Sequence, residues 1–199
     1  MMHRKWKITA LLALVLSMGC GGAGAAEFSL NNNDFLNWLF DFQRTNGVKP
    51  VTDKQYQEEC GACHFAYQPG LLPAKSWEAL LTDRALRDHF GVNAELDDDT
   101  LKVIRDYAIS NSAEKSWYKR SRKIAAATEH GPTPLRITGL RYIVRTHHDI
   151  PEKMITGNKD VKSLSFCDKC HTQAAKGIYD ADTVNIPHYP NWDGWFNKP

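Results

Sequence analysis

The chain lacks an apolar run long enough to cross a membrane. Its hydrophobic stretch from Ile8 to Leu16 is far shorter than the roughly 20 residues of a membrane-spanning helix. Basic residues precede this stretch, and Ala23-Gly24-Ala25 follows it as a small-residue cleavage site. This order of features predicts a signal peptide over residues 1–25 that is removed on export, and therefore a periplasmic protein. Lipid attachment at Cys20 is the alternative, although Ser17 stands where lipoprotein processing sites usually have Leu.

The chain also lacks an excess of positive charge once this segment is set aside. Of its 199 residues, 25 are Lys or Arg and 23 are Asp or Glu, and residues 1–25 hold three of the basic residues and no acidic one. The rest of the chain therefore has 22 basic and 23 acidic residues, a formal charge of −1. No nucleic-acid partner is indicated, because binding to a phosphate backbone depends on an excess of Lys and Arg.

Cysteine and methionine are scarce. Beyond residue 25 the chain has four cysteines and one methionine, Met154. All four cysteines lie in two copies of the pentapeptide Cys-x-x-Cys-His, at residues 60–64 and 167–171, so none is left for a structural disulfide. On a helical turn the two thiols and the imidazole of such a motif share one face.

This pentapeptide is the attachment motif of c-type haem. Its thiols lie opposite the two vinyl groups of a haem, and its imidazole points at the iron. The sequence therefore predicts two covalently bound haem c groups, held through Cys60, Cys63, Cys167 and Cys170, with His64 and His171 as iron ligands. A zinc ribbon is excluded because 103 residues separate Cys63 from Cys167, against roughly 15–20 in such sites.

Strand patterns are absent as well, whereas helix signals are frequent. Thr52-x-x-Gln55 resembles a capping box, and Asp97 is a second candidate cap. Five helices are expected. The first follows Thr52, the second starts near Ser76, and the third covers residues 83–90 up to Gly91. The fourth follows Asp97, with Leu101, Ile104 and Ala108 on one face, and the fifth covers residues 140–148 before Pro151. Residues 111–129 are polar and are interpreted as a connector.

The spacing of the two motifs indicates the domain organisation. They begin 107 positions apart, and each haem offers an apolar body around which a short segment can fold. The prediction is a mostly α-helical protein with extensive irregular loops and two small haem-wrapping lobes, residues 26–125 and residues 126–199 with the tail. An aromatic segment at residues 28–42 is interpreted as packing across a haem lobe, the alternative being a docking surface for a membrane or a partner.

The second axial position of each iron distinguishes an electron carrier from a catalyst. His89 is preferred for the first haem, because counting back along a helix reaches Leu86, Ala85 and Leu81, an apolar face on which an imidazole without a partner is costly.

For the second haem, His147 continues a stripe of Leu140, Ile143 and Val144, whereas Arg residues precede His148 at the same spacings. Met154 is the competing ligand. His130 and His188 lie in polar or irregular segments and are expected to be ordinary surface residues.

At this point the chain resembles the dihaem cytochrome c family known as DHC. The matching positions are residues 50–53, 58–67, 69–74, 76–77, 88–91, 93–96 and 133–138, then His147, Ile150 and Pro151, and finally residues 167–171 with Ala175 and Gly177. The resemblance covers residues 48–187. It implies a mostly helical protein with a class I cytochrome-like first lobe, and bis-histidine iron through His64, His89, His147 and His171.

The same resemblance implies electron transfer between a membrane cytochrome b and a small oxygen-binding c-type haem protein. Iron with both axial positions filled by histidine cannot bind peroxide or oxygen, so we expect an electron carrier and no enzyme activity. The alternatives are an electron-transfer subunit of a periplasmic reductase and, less in keeping with the short chain, a dihaem peroxidase-like enzyme.

Overall fold

A computed structural model describes residues 47–190 and 192 of the protein. The predicted signal peptide, the alternative lipid site at Cys20 and the aromatic segment at residues 28–42 lie outside the described residues, as does nearly all of the chain after residue 190.

The described part of the chain is helical. Its α-helices are α1 (Lys54–Gly61), α2 (Ala74–Leu80), α3 (Asp83–Arg87), α4 (Asp98–Ser110), α5 (Lys119–Thr128) and α6 (Arg141–His147). Short 3₁₀ turns occupy Pro69–Leu71, Ala113–Lys115, Ile137–Gly139, Glu152–Met154, Cys167–Lys169, Ala174–Lys176 and Ala181–Thr183. Between residues 47 and 190 there are isolated β-bridges and no strand. The mostly α fold with extensive irregular segments is thereby confirmed.

The helix starts follow local capping chemistry. The Asp97 carboxylate accepts from the backbone N–H of Thr100 at 3.0 Å, so the predicted cap of α4 is confirmed, and its predicted apolar face of Leu101, Ile104 and Ala108 is buried. The cap of α1 is Asp53, whose carboxylate accepts from the N–H of Tyr56 at 2.8 Å. The prediction of Thr52 was therefore wrong by one residue, because an Asp three positions before the buried Tyr56 satisfies that N–H directly.

The chain around residue 80 forms two short helices with a break between them. Helix α2 begins at Ala74, directly after Pro73 and two residues before the predicted Ser76. The Thr82 hydroxyl then accepts from the N–H of Ala85 at 3.2 Å and starts α3. Because the backbone is not helical at Leu81, the two helices do not share the continuous face that the sequence argument assumed.

Helix α3 ends at Arg87, earlier than predicted, and His89 lies in a tight turn. The backbone N–H of His89 donates to the carbonyl of Val92 at 2.8 Å, and the N–H of Val92 donates back at 3.3 Å. Phe90 and Gly91 have φ of 56° and 93°, values that end a helix. The expectation that His89 continues a helical face was wrong, since this turn and not a helix holds the imidazole.

Residues 111–129, interpreted from the sequence as a polar connector, contain a helix with one buried face. Helix α5 buries Ser121, Ile124 and Thr128 against the larger hydrophobic cluster and turns its other side to solvent. These positions are spaced three and four residues apart, so they lie on one helical face. Two of the three are small and polar, which is why the hydrophobic pattern in the sequence was weak.

The described residues form two hydrophobic clusters. The larger runs from Val48 to Leu140 and includes Tyr56, Trp77 and Ile104. The smaller consists of Met154, Val161 and Ile186 with partly buried neighbours that include Cys170. The division into two lobes at residue 125 stays a prediction.

The segment after the second pentapeptide packs closely on the start of the described chain. The N–H of Val48 donates to the carbonyl of Gly177 at 3.0 Å. A Cβ on Gly47 would lie 2.0 Å from that carbonyl oxygen, and Gly177 has φ of 74°, so both positions require glycine. This approach, with the buried Gln68 side chain donating to the carbonyl of Ala174 at 2.6 Å, positions the second motif against the larger cluster.

Replacing Ile124 by Ala is expected to destabilise the protein by about 3 kcal/mol, because the side chain is 1 % exposed and its removal leaves a cavity. Denaturant unfolding of the haem-loaded protein measures the change. Val103→Ala is the matched control, since Val103 is 44 % exposed and its truncation should change the free energy of unfolding by less than about 0.5 kcal/mol. Equal effects of the two substitutions would contradict the placement of α5 in the core.

Candidate haem sites

The first pentapeptide lies where α1 ends. Cys60 is on the last turn of the helix, while Cys63 and His64 follow it in a turn. Burial, with Glu59 as a lesser cause, raises the pKa of the Cys60 thiol to about 12. All four cysteines of the described residues are free thiols, as attachment to vinyl groups requires.

The His64 ring is oriented by its own backbone. Its Nδ1 lies 2.7 Å from the carbonyl oxygen of Phe65. Because a carbonyl only accepts, Nδ1 is the donor of this hydrogen bond, and Nε2 is the ring nitrogen left to face a metal. The ring of Tyr67 stacks on His64 with centroids 5.0 Å apart and planes inclined by 30°, which limits rotation of the imidazole.

The turn at residues 89–92 brings the imidazole ring of His89 close to that of His64. The ring centroids of His64 and His89 are 6.3 Å apart, with planes inclined by 20°. Burial, followed by the charges of His64 and Arg136, lowers the pKa of His89. The neutral imidazole is thus favoured, and only the neutral form binds a metal.

The second pentapeptide forms a 3₁₀ turn. The N–H of His171 donates to the carbonyl of Cys167 at 2.8 Å, so the ends of the motif lie on one side of a single turn. Burial, followed by Asp168, raises the pKa of Cys167 to about 11 and also raises that of Cys170. Burial first, then His147 and Arg120, lowers the pKa of His171 to about 4, which keeps this imidazole neutral.

The structure separates the neighbours His147 and His148. Nδ1 of His147 lies 2.8 Å from the carbonyl of Ile143, so Nε2 is the ring nitrogen left to face a metal. The ring centroid of His147 is 6.0 Å from that of His171. The side chain of His148 is 60 % exposed and lies 3.1 Å from Asp149. Within the predicted stripe, Leu140 is buried but Val144 is 52 % exposed, so the stripe is buried only in part.

A cavity of about 440 Å³ lies beside this histidine pair. Its walls include both histidines, Cys167, Cys170, Leu71 and Met154. The volume falls in the range of about 300–1,000 Å³ that is typical of cofactor pockets.

The other candidate ligands lie as follows. Met154 is 7 % exposed and lines the cavity, so it stays the competitor of His147. His188 Nε2 lies 2.5 Å from the Asp160 carboxylate at the surface, and His130 is exposed.

Comparison with known protein families matches this chain to one of them. The dihaem cytochrome c family model matches residues 56–179, more than half of the chain. The chain belongs to the dihaem cytochrome c family. This result confirms the resemblance inferred from the motifs.

Solved structures of dihaem cytochromes c are also similar. The dihaem cytochrome type c from Shewanella baltica OS155, sb-DHC, is 37 % identical with a TM-score of 0.57, over 70 % of this chain and 96 % of that one. The dihaem cytochrome c from Rhodobacter sphaeroides is 36 % identical with a TM-score of 0.56, over 66 % of this chain and all of that one. A comparison with curated proteins finds no match.

As a dihaem cytochrome c, the protein is an electron-transfer haem protein with two covalently bound haem c groups. The residues present fit this cofactor. With metal–nitrogen bonds of about 2 Å, two imidazoles on opposite sides of one ion have ring centres about 6 Å apart, and the separations here are 6.3 and 6.0 Å. Within residues 47–190 and 192, no group of three or more His, Cys, Asp or Glu side chains is arranged to hold a metal ion.

Sequence reasoning missed the aromatic and basic residues around these histidines. Tyr179 lies with its ring centroid 5.1 Å from that of His171, and its hydroxyl donates to the Gln68 side chain at 2.6 Å. Arg120 lines the cavity beside His147 and His171. No local pattern signals them, because one Tyr in a loop and one Arg among several on a basic helix look like surface residues.

In the part of the chain that the structure describes, no helix is long and apolar enough to span a membrane.

Proposed function

We propose that the protein is an exported electron carrier whose two haems are both bis-histidine ligated. His64 and His89 would be the axial ligands of the first iron, and His147 and His171 those of the second. Cys60, Cys63, Cys167 and Cys170 would form the thioether bonds. The observation that carries the proposal is the spacing of the two histidine pairs, with ring centroids 6.3 and 6.0 Å apart.

The chemistry that follows from such ligation is outer-sphere electron transfer. The haems supply a ferric–ferrous couple, and two imidazoles per iron leave no position for peroxide or oxygen. The carbonyls of Phe65 and Ile143 accept from the Nδ1 protons of His64 and His147, which holds the rings in place and makes them stronger donors. Bis-histidine ligation also favours potentials below those of His/Met cytochromes.

The cellular setting is part of the same proposal. The signal-like residues 1–25 support export to the periplasm. By resemblance to the family, the electron partners are a membrane cytochrome b and a small oxygen-binding c-type haem protein. An electron-transfer subunit of a periplasmic reductase would share the ligation and differ only in its partner.

Optical and EPR spectra of the ferric protein test the ligation. We expect two low-spin haems in equal amounts, with no high-spin signal and no absorption band typical of Met-ligated iron, because each iron has two imidazoles within reach. A Met-ligated second haem would assign its axial position to Met154, and a high-spin haem would contradict the carrier proposal.

Activity measurements on the same preparation separate carrier from enzyme. The reduced protein should pass electrons to a small c-type cytochrome, bind carbon monoxide poorly and turn over peroxide negligibly. Sustained peroxidase turnover with an artificial donor, at rates typical of enzymes, would favour the dihaem peroxidase alternative.

A further inference from the structure

One partly buried cation in the cavity beside His147 and His171 has no role in the proposed ligation. Arg120 lies on α5, and its side chain is only 18 % exposed. It lines the same cavity as His147 and His171. Arginine keeps its charge at any pH at which a protein is folded, so the cavity wall carries a permanent positive charge.

The partners of this guanidinium are mostly neutral. One terminal nitrogen donates to the Tyr142 hydroxyl at 2.6 Å, and the other donates to the Tyr179 carbonyl at 3.2 Å. The rings of Tyr142 and Tyr179 lie 5.8 and 5.7 Å from the guanidinium carbon. The Asp180 carboxylate is 3.8 Å away, beyond hydrogen-bond distance.

Nε of Arg120 is buried and has no hydrogen-bond partner among the protein atoms. A buried charge is stable only when an opposite charge and good hydrogen bonds compensate for its lost hydration. Each terminal nitrogen carries two N–H groups and makes one of the two hydrogen bonds given above, so this guanidinium keeps donors for an additional anionic acceptor. Carboxylates suit it best, because the planar guanidinium offers two parallel donors.

We propose that Arg120 binds a propionate carboxylate of the second haem and thereby raises the potential of that haem. The inference rests on the proposed placement of the second haem between His147 and His171. A positive charge beside the cofactor opposes the ferric state, which carries one more positive charge than the ferrous state.

Redox titration of Arg120→Gln tests this role. We expect the midpoint potential of the second haem to fall and that of the first haem to stay unchanged. The equilibrium constant for electron exchange between the two haems should then change about tenfold, which corresponds to a fall in potential of about 59 mV for a one-electron couple. Arg122→Gln is the matched control: it removes the same charge from the same helix, but Arg122 is exposed and about 200° further round the helix. It should leave both potentials unchanged.

The result that would overturn the inference is an Arg120→Gln protein with two low-spin haems and potentials equal to those of Arg122→Gln. In that case the ligation stands and only the role of Arg120 fails. A high-spin second haem in the unmutated protein would instead reject the proposed function itself.

Arg120→Met covers the case in which Arg120→Gln does not fold, because its apolar side chain keeps the packing of the arginine stem. We expect the same fall in the midpoint potential of the second haem. An Arg120→Met protein whose two potentials equal those of the unmutated protein would reject the role of Arg120.

Discussion

Replacing both Cys167 and Cys170 by Ala is expected to give a protein with one covalent haem instead of two. These are the only thiols of the second pentapeptide, and the described residues provide no other free cysteines than Cys60 and Cys63. The mass of the denatured protein should therefore fall by one haem beyond the change in the polypeptide. Mass spectrometry under denaturing conditions measures the loss directly, because thioether bonds survive unfolding.

The reciprocal double variant is the matched control. Cys60→Ala with Cys63→Ala should lose the first haem and keep the second, again with one haem per chain. A mass that corresponds to bound zinc, or to a disulfide form without haem, would contradict covalent attachment in either case.

Replacing His89 by Ala is expected to convert only the first haem to a high-spin form, and replacing His147 by Ala only the second. Each substitution removes one imidazole of a pair whose ring centroids are 6.3 or 6.0 Å apart, so one axial position of one iron becomes open. After reduction, about half of the haem in either variant should bind carbon monoxide, which binds poorly to the unmutated protein. EPR of the ferric protein and optical titration with carbon monoxide measure both effects.

The neighbouring histidines supply the controls for this experiment. His148→Ala and His188→Ala should leave the spectra nearly unchanged, because His148 is 60 % exposed and His188 pairs with Asp160. If His148→Ala produced the high-spin haem and His147→Ala did not, the orientation of α6 relative to His171 would be wrong.

Some features were predictable because their cause is local. The two pentapeptides identify covalent haem by residue type and spacing alone. Asp97 starts α4 because its carboxylate reaches an N–H three residues ahead, and the helical period then buries Leu101, Ile104 and Ala108. None of these features depends on contacts with distant parts of the chain.

The sequence expectations differ from the structure at one local turn and at one helix that packing buries. The helical pattern predicts a helix to Gly91, whereas a turn closed by the His89–Val92 hydrogen bonds holds His89. Helix α5 was interpreted as a connector, because its buried positions Ser121 and Thr128 are polar and become core positions only through packing on the larger cluster.

The sequence by itself therefore determined the cofactor, its number and the helical class, since all of these depend on short-range spacing and capping. Only the tertiary structure brought the ring of His89 within 6.3 Å of that of His64, and the ring of His147 within 6.0 Å of that of His171. It also placed Arg120 in the wall of the cavity beside His147 and His171. The physical reason is that ring-to-ring distances and burial depend on residues 24 or more positions apart, such as His147 and His171, and no local propensity specifies how such segments pack.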